Sequence, residues 1–190
     1  MLTGCAGEDG DGSREGRASA SPSEPESSAS TVASGGTLGG PGSACELPVT
    51  FELAAKWTAE AVRAPLEQGP VALVCEVDAK PAGSIGFLRV WTGAPGADEA
   101  RSVLEAFLKA EGGTSEEEYS AFTADGMSGT EVEYRYTSEF LDEPKTERAL
   151  AVTTPDGPVV LHLGGLDDAE HADMLPAYEL ARRSLRAAAG

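Results

Sequence analysis

Hydrophobic patterning is missing from the first 44 residues of the chain and regular after them. From Val49 onward, short segments alternate apolar and polar positions: Val49 to Leu53, Trp57 to Val62, Val71 to Val77 and Ile85 to Trp91. A period of two places every second side chain on one face, so these segments predict strands. Turns are expected between them at Glu67-Gln68-Gly69-Pro70 and Lys80-Pro81-Ala82-Gly83. The period then changes. After Pro95-Gly96, with Asp98 as the expected cap, Val103, Leu104, Phe107 and Leu108 fall on one helical stripe that ends at Gly112-Gly113. Strands resume at Tyr119 to Phe122 and, after a turn at Ala124-Asp125-Gly126, at Glu131 to Thr137. In the latter, Val132, Tyr134 and Tyr136 alternate with Glu131, Glu133 and Arg135, which predicts one wet face. Glu147 to Thr153 and Val159 to Leu163 follow as a hairpin around Pro155-Asp156-Gly157. Met174, Tyr178, Ala181, Leu185 and Ala188 recur at helical spacing, and Pro176 fits a first turn beginning near Asp173. Asp167, Asp168 and Asp173 are the expected capping carboxylates of this last helix. The fold class predicted for residues 45–190 is α+β: an antiparallel sheet of about six to eight strands, with an inserted helix and a C-terminal helix packed on it.

Composition explains why the patterning starts late. Between Ala6 and Ala44, Ser, Gly, Ala and Pro supply 27 of 39 residues. Such a segment has too little apolar surface to offset the entropy of ordering it, and residues 6–44 are therefore expected to be a disordered linker. A coil of that length reaches roughly 35 Å. Ahead of it, Leu2-Thr3-Gly4-Cys5 resembles a bacterial lipobox, in which small residues lead to a cysteine whose thiol takes the lipid. Residues 1–5 are thus expected to be a lipobox remnant with Cys5 as the lipidation site, and a signal peptide with a charged and an apolar region is expected upstream of them. Several acyl chains on one cysteine, at about 0.8 kcal/mol per buried CH₂, hold a protein firmly to a bilayer.

Charge narrows the partners. The net charge of -18 divides into -4 for residues 6–44 and -14 for residues 45–190, so both parts are repelled by phosphate backbones and anionic headgroups. Nucleic acid is excluded as a partner class. The sequence has no apolar run of about 18 residues, so the expected attachment is a lipid anchor at the extracytoplasmic face of the cell membrane. With Cys5 assigned to lipid, Cys45 and Cys75 remain, and in an oxidising compartment a disulfide between them is the economical reading. The alternative is a free thiol at Cys45 and a small buried side chain at Cys75.

The lipobox, the Ser/Gly/Pro stalk and Val49-Thr50-Phe51-Glu52-Leu53-Ala54-Ala55-Lys56-Trp57 at the head of this order of elements resemble the LpqN/LpqT lipoproteins. That resemblance extends in layout over residues 45–190. It implies a PsbP-like fold and a binding or accessory role in the cell envelope.

Candidate chemistry is sparse. The two histidines are His162 and His171. His162 alternates with Val159, Leu161 and Leu163 and is expected on the solvent side of its strand, while the cluster Asp167-Asp168-Ala169-Glu170-His171-Ala172-Asp173 is the best metal candidate in the sequence, because Asp167 and His171 would share a helical face. Carboxylates ahead of a helix ordinarily cap it, so no metal and no cofactor are expected. Glu116-Glu117-Glu118 reads as a solvated lead into a strand, and Trp57 and Trp91 read as core. The sequence contains no Gly-x-Ser-x-Gly elbow, HExxH, CxxC or phosphate loop, so a non-enzymatic envelope lipoprotein that binds a protein or lipid-like ligand is the leading reading. An envelope hydrolase or metal-dependent enzyme, or a structural surface antigen, are the alternatives.

Overall fold

The computed structural model describes residues 32–96, 98–138 and 143–188. Its elements run β1 (Ser34–Leu38), β2 (Val49–Ala54), β3 (Thr58–Ala61), β4 (Glu67–Gln68), β5 (Val71–Asp78), β6 (Phe87–Gly93), α1 (Ala100–Glu111), β7 (Thr114–Ala124), β8 (Met127–Tyr136), β9 (Lys145–Thr154), β10 (Gly157–Gly164), α2 (Asp168–Ser184) and β11 (Arg186–Ala187). Eight strands form one antiparallel sheet in the order β3-β5-β6-β10-β9-β8-β7, with β4 also paired to β5. A second sheet has the order β1-β2-β11.

Period two in the sequence becomes two packed faces in three dimensions. On one face of the large sheet, Val71, Leu73, Trp91, Val132, Tyr134, Ala149, Ala151 and Val160 meet the stripe Val103, Leu104, Phe107 and Leu108 of α1. That helix leaves β6 and reaches β7 at the far edge, and on the way it packs across β10, β9 and β8. On the other face, Val77, Leu88, Val90, Leu150, Val152, Val159, Leu161 and Leu163 meet α2, through Met174, Tyr178 and Ala181, and the small sheet, through Val49 and Phe51. β10 lies fourth of seven along the sheet order and is buried at every position.

Several local expectations are corrected. Residues 34–38, which composition places in the linker, form β1, which pairs with β2 through Thr37 opposite Glu52 and Leu38 opposite Phe51. Asp98 does not cap α1: Glu99 stands at the N-cap and no side chain bonds there. The last helix begins at Asp168 rather than near Asp173, its cap is Asp167, and Pro176 lies inside it. Glu116–Glu118 lie within β7, at a bulge where Glu116 adopts φ 55°, although all three remain exposed. The turn at Asp125-Gly126 is as expected, with φ of 48° and 79° as a tight hairpin between right-twisted strands requires.

Candidate functional site

Alternation predicts which way His162 points, but the face it points to is not wet. His162 is on the opposite face of β10 from Val159, Leu161 and Leu163, and there α1 covers it: it is 4% exposed, and its ring meets Phe107 edge-on at 5.6 Å. A polar side chain under a helix needs partners. β9 and β8 supply them, because Glu147 and Tyr134 share the parity of Ala149 and Val132 and face α1 as well. His162 Nε2 lies 2.7 Å from Glu147 Oε2. The Tyr134 hydroxyl is 3.1 Å from each of those two atoms and donates to Glu111 Oε2 at 2.8 Å. Glu111 is the last residue of α1 and half-buried. Lys145, at the start of β9, places Nζ 2.6 Å from the other Glu147 oxygen, Oε1, and also donates to the Gly165 carbonyl.

Burial and charge act against one another within this cluster. Burial alone would push the Glu147 carboxyl up, but His162 and Lys145 beside it hold it down at about 2. Burial pushes His162 down, and the adjoining Glu147 carboxylate more than reverses this, so the imidazole sits above its ordinary value. Glu111 is raised, chiefly by burial. Tyr134 is raised well above the usual phenol range by burial and then by its two glutamate neighbours, which keeps it a hydroxyl donor. These shifts favour an imidazolium–carboxylate pair over the neutral one, with a neutral phenol seated against it.

Next to this cluster the molecule has a recess of about 270 Å³ whose lining includes Glu147, Lys145, Arg89, Phe87 and the backbone of Gly164 and Gly165. Ile85 and Leu166 stand at its rim, 54% and 48% exposed. Glu170 fixes both: its Oε1 accepts from the Ile85 amide and its Oε2 from the Leu166 amide, each at 2.5 Å. One carboxylate on α2 thereby ties the loop before β6 to the loop after β10.

The other residues singled out in the sequence are placed as follows. Cys5 lies outside the described residues. Cys45 and Cys75 are joined, with Cα atoms 6.0 Å apart, and the bridge clips the segment between β1 and β2 onto β5. His171 does not assemble with Asp167 and Asp173. It is 5% exposed with neither ring nitrogen hydrogen-bonded, whereas Asp167 accepts from the Glu170 amide at 2.8 Å and Asp173 is exposed. Trp57 and Trp91 are buried, the latter edge-on to Phe107 at 5.2 Å. The polar side of β8 is not wet along its length, since Glu131 is 8% exposed and accepts from Tyr178 at 2.8 Å under α2. Sequence reasoning missed Glu111, Tyr134, Lys145 and Glu147 as a group. The signal available was Glu147 itself, an acid at a position whose parity matches two buried alanines.

The fold defines the class. A solved structure, the solution structure of cyanobacterial PsbP (CyanoP) from Synechocystis sp. PCC 6803, superposes with a TM-score of 0.54 over 74% of this chain and 86% of that one, at 15% identity. The chain thus has a PsbP-like α+β fold. A family model described as "Uncharacterised lipoprotein" (Lipoprotein_23) matches residues 15–185, and the chain belongs to that family. No curated protein sequence matches it.

Proposed function

We propose that this lipoprotein is a non-enzymatic accessory protein of the cell envelope, held by lipid on Cys5 at the extracytoplasmic face and binding a partner protein at the recess beneath Ile85 and Leu166. The observation that carries this reading is the rim. Two large exposed apolar side chains line one recess, their backbone amides fixed by one carboxylate, together with Lys145, Arg89 and Glu147. Apolar anchors beside a polar, charged surround are the anatomy of protein-binding surfaces. Membership of a lipoprotein family and the lipobox-like Leu2-Thr3-Gly4-Cys5 support the anchor. The nearer kinship with LpqN/LpqT belongs to the same reading.

The test places a photocrosslinking residue at 166 in the full-length protein in native membranes, with position 60, exposed on β3, as the control. A discrete adduct from 166 and none from 60 is expected. Leu166→Asp combined with Ile85→Asp should weaken capture at a third rim position by tenfold or more without lowering the unfolding midpoint. Cys5→Ser should move the protein to the soluble fraction. Equal labelling from both positions would remove the recess from the proposal, and membrane retention of the Cys5→Ser protein would remove the anchor.

A further inference from the structure

We propose that Glu111, Glu147 and His162, with the Tyr134 hydroxyl beside them, form a binding site for one divalent transition-metal ion of the zinc type. The ligand atoms that the two glutamates and the histidine offer all lie within 4.8 Å of one another. The phenol oxygen is 2.8 Å from Glu111 Oε2 and 3.1 Å from both Glu147 Oε2 and His162 Nε2, and the last two are 2.7 Å apart. An ion holding four N and O ligands tetrahedrally at 2.0–2.1 Å spaces them about 3.3 Å from one another. These four of the six separations lie just below that spacing, and the other two, from Glu111 to Glu147 and to His162, lie within 4.8 Å, so those four need to widen by several tenths of an ångström while the half-buried Glu111 side chain closes on the ion. One imidazole and two carboxylates are a donor set that zinc accepts, and the two carboxylates offset most of the charge that the ion and Lys145 bring to a low-dielectric site.

The surroundings fit at Glu147, whereas the buried Nδ1 of His162 has no hydrogen-bond partner. Glu147 divides its oxygens, Oε1 to Lys145 Nζ and Oε2 to the cluster, so the cation that orients this carboxylate does not occupy its ligand position. Such outer partners commonly fix metal-binding side chains. His162 and Glu147 are held by β10 and β9 in the middle of the sheet, whereas Glu111 terminates a helix and is half-buried. The ion would therefore reach two rigid ligands from the side closed by a third, less confined one. Binding replaces the proton shared between His162 Nε2 and Glu147 Oε2 by the metal, and the Tyr134 hydroxyl becomes the fourth neighbour. This departs from the expectation drawn from sequence, which placed the best metal candidate around His171.

Cobalt(II) is the probe, titrated into the metal-free full chain and then displaced by zinc. Expected are saturation at one ion per chain, the intense visible absorption of tetrahedral cobalt, and loss of that band on adding zinc. Glu111→Gln, at a half-buried helix end, should leave the metal-free unfolding midpoint close to wild type and weaken binding by roughly tenfold or more, the scale seen even for outer-sphere partners. His162→Gln should abolish the band. Absence of saturable binding, or a weak octahedral spectrum retained in both Glu111→Gln and His162→Gln, overturns the proposal.

Discussion

His162 projects from β10 toward α1 and His171 lies on α2 at the other face of the sheet, and their pKa values move in opposite directions. Burial lowers His171, and Arg148 lowers it further, against smaller opposing effects of Glu133, Glu147 and Asp168. Its native pKa therefore lies below the ordinary 6.5, and below that pH the unfolded chain binds the extra proton first. The stability it permits is complete above 6.5 and is lost as pH falls from there toward the native value. His162 has the reverse sign: its proton stabilises the native state below 6.5, and that contribution fades as pH rises through its higher native value. His171→Leu removes the first effect and keeps the second. Thermal unfolding of both proteins should show the wild type losing stability relative to His171→Leu between about pH 7 and pH 5; a constant difference would mean that His171 does not titrate as its surroundings require. Neither histidine's burial was legible. Alternation gave His162 its side of the strand, but the cover on that side comes from a helix whose apolar stripe is written some 55 residues earlier, between Val103 and Leu108. Trp57 and Trp91, by contrast, were readable as core because large aromatic surface is costly to leave in water.

At the scale of elements, the strands and helices came from periodicity and their ends did not. The beginning of α2 was misplaced by Pro176, which is most at home in a first turn. Here it sits within the helix and leaves the Ala172 carbonyl without its intrahelical donor; Ala172 is exposed, so water can serve that carbonyl. The cap therefore moves to Asp167, whose carboxylate holds the Glu170 amide. Asp167→Ala should cost 0.5–2 kcal/mol, roughly the loss of one cap, and Asp173→Ala, on the exposed side of the helix, should cost much less. Urea unfolding of the two variants measures this, and equal losses would show that Asp167 is not the cap. β1 was hidden for another reason. Ser34-Gly35-Gly36-Thr37-Leu38 carries one large apolar side chain, so its place is set by backbone pairing with β2 rather than by burial. A side chain at Gly35 would lie 3.0 Å from the Ala54 carbonyl oxygen, so the paired backbone would have to give by a few tenths of an ångström to admit one.

For the whole molecule, the most informative sequence feature was a count: two cysteines left once one is given to lipid. Their bridge spans a separation of 30 residues and ties the small sheet to β5. The chain-entropy model gives such a loop about 3.5 kcal/mol. Cys45→Ala with Cys75→Ala should lower stability toward denaturant by an amount of that order, and a variant as stable as wild type would show that packing of β2 alone secures the small sheet. The polar cluster under α1 was the least legible part, because its four members come from a helix end and three strands spread over 52 residues, Glu111 to His162, and only the sheet order brings them together. The clamp made by Glu170 has a consequence of a different kind. Ile85 and Leu166 are far apart in the chain, and the pairing of β6 with β10 and the bonds from Glu170 on α2 bring them to one recess. A partner gripping both would recognise the native state and have no equivalent site on the unfolded chain. By mass action, its presence at a hundred times its Kd would add about 2.7 kcal/mol to folding, so the protein at its working address would resist heat and proteolysis better than the same protein purified alone.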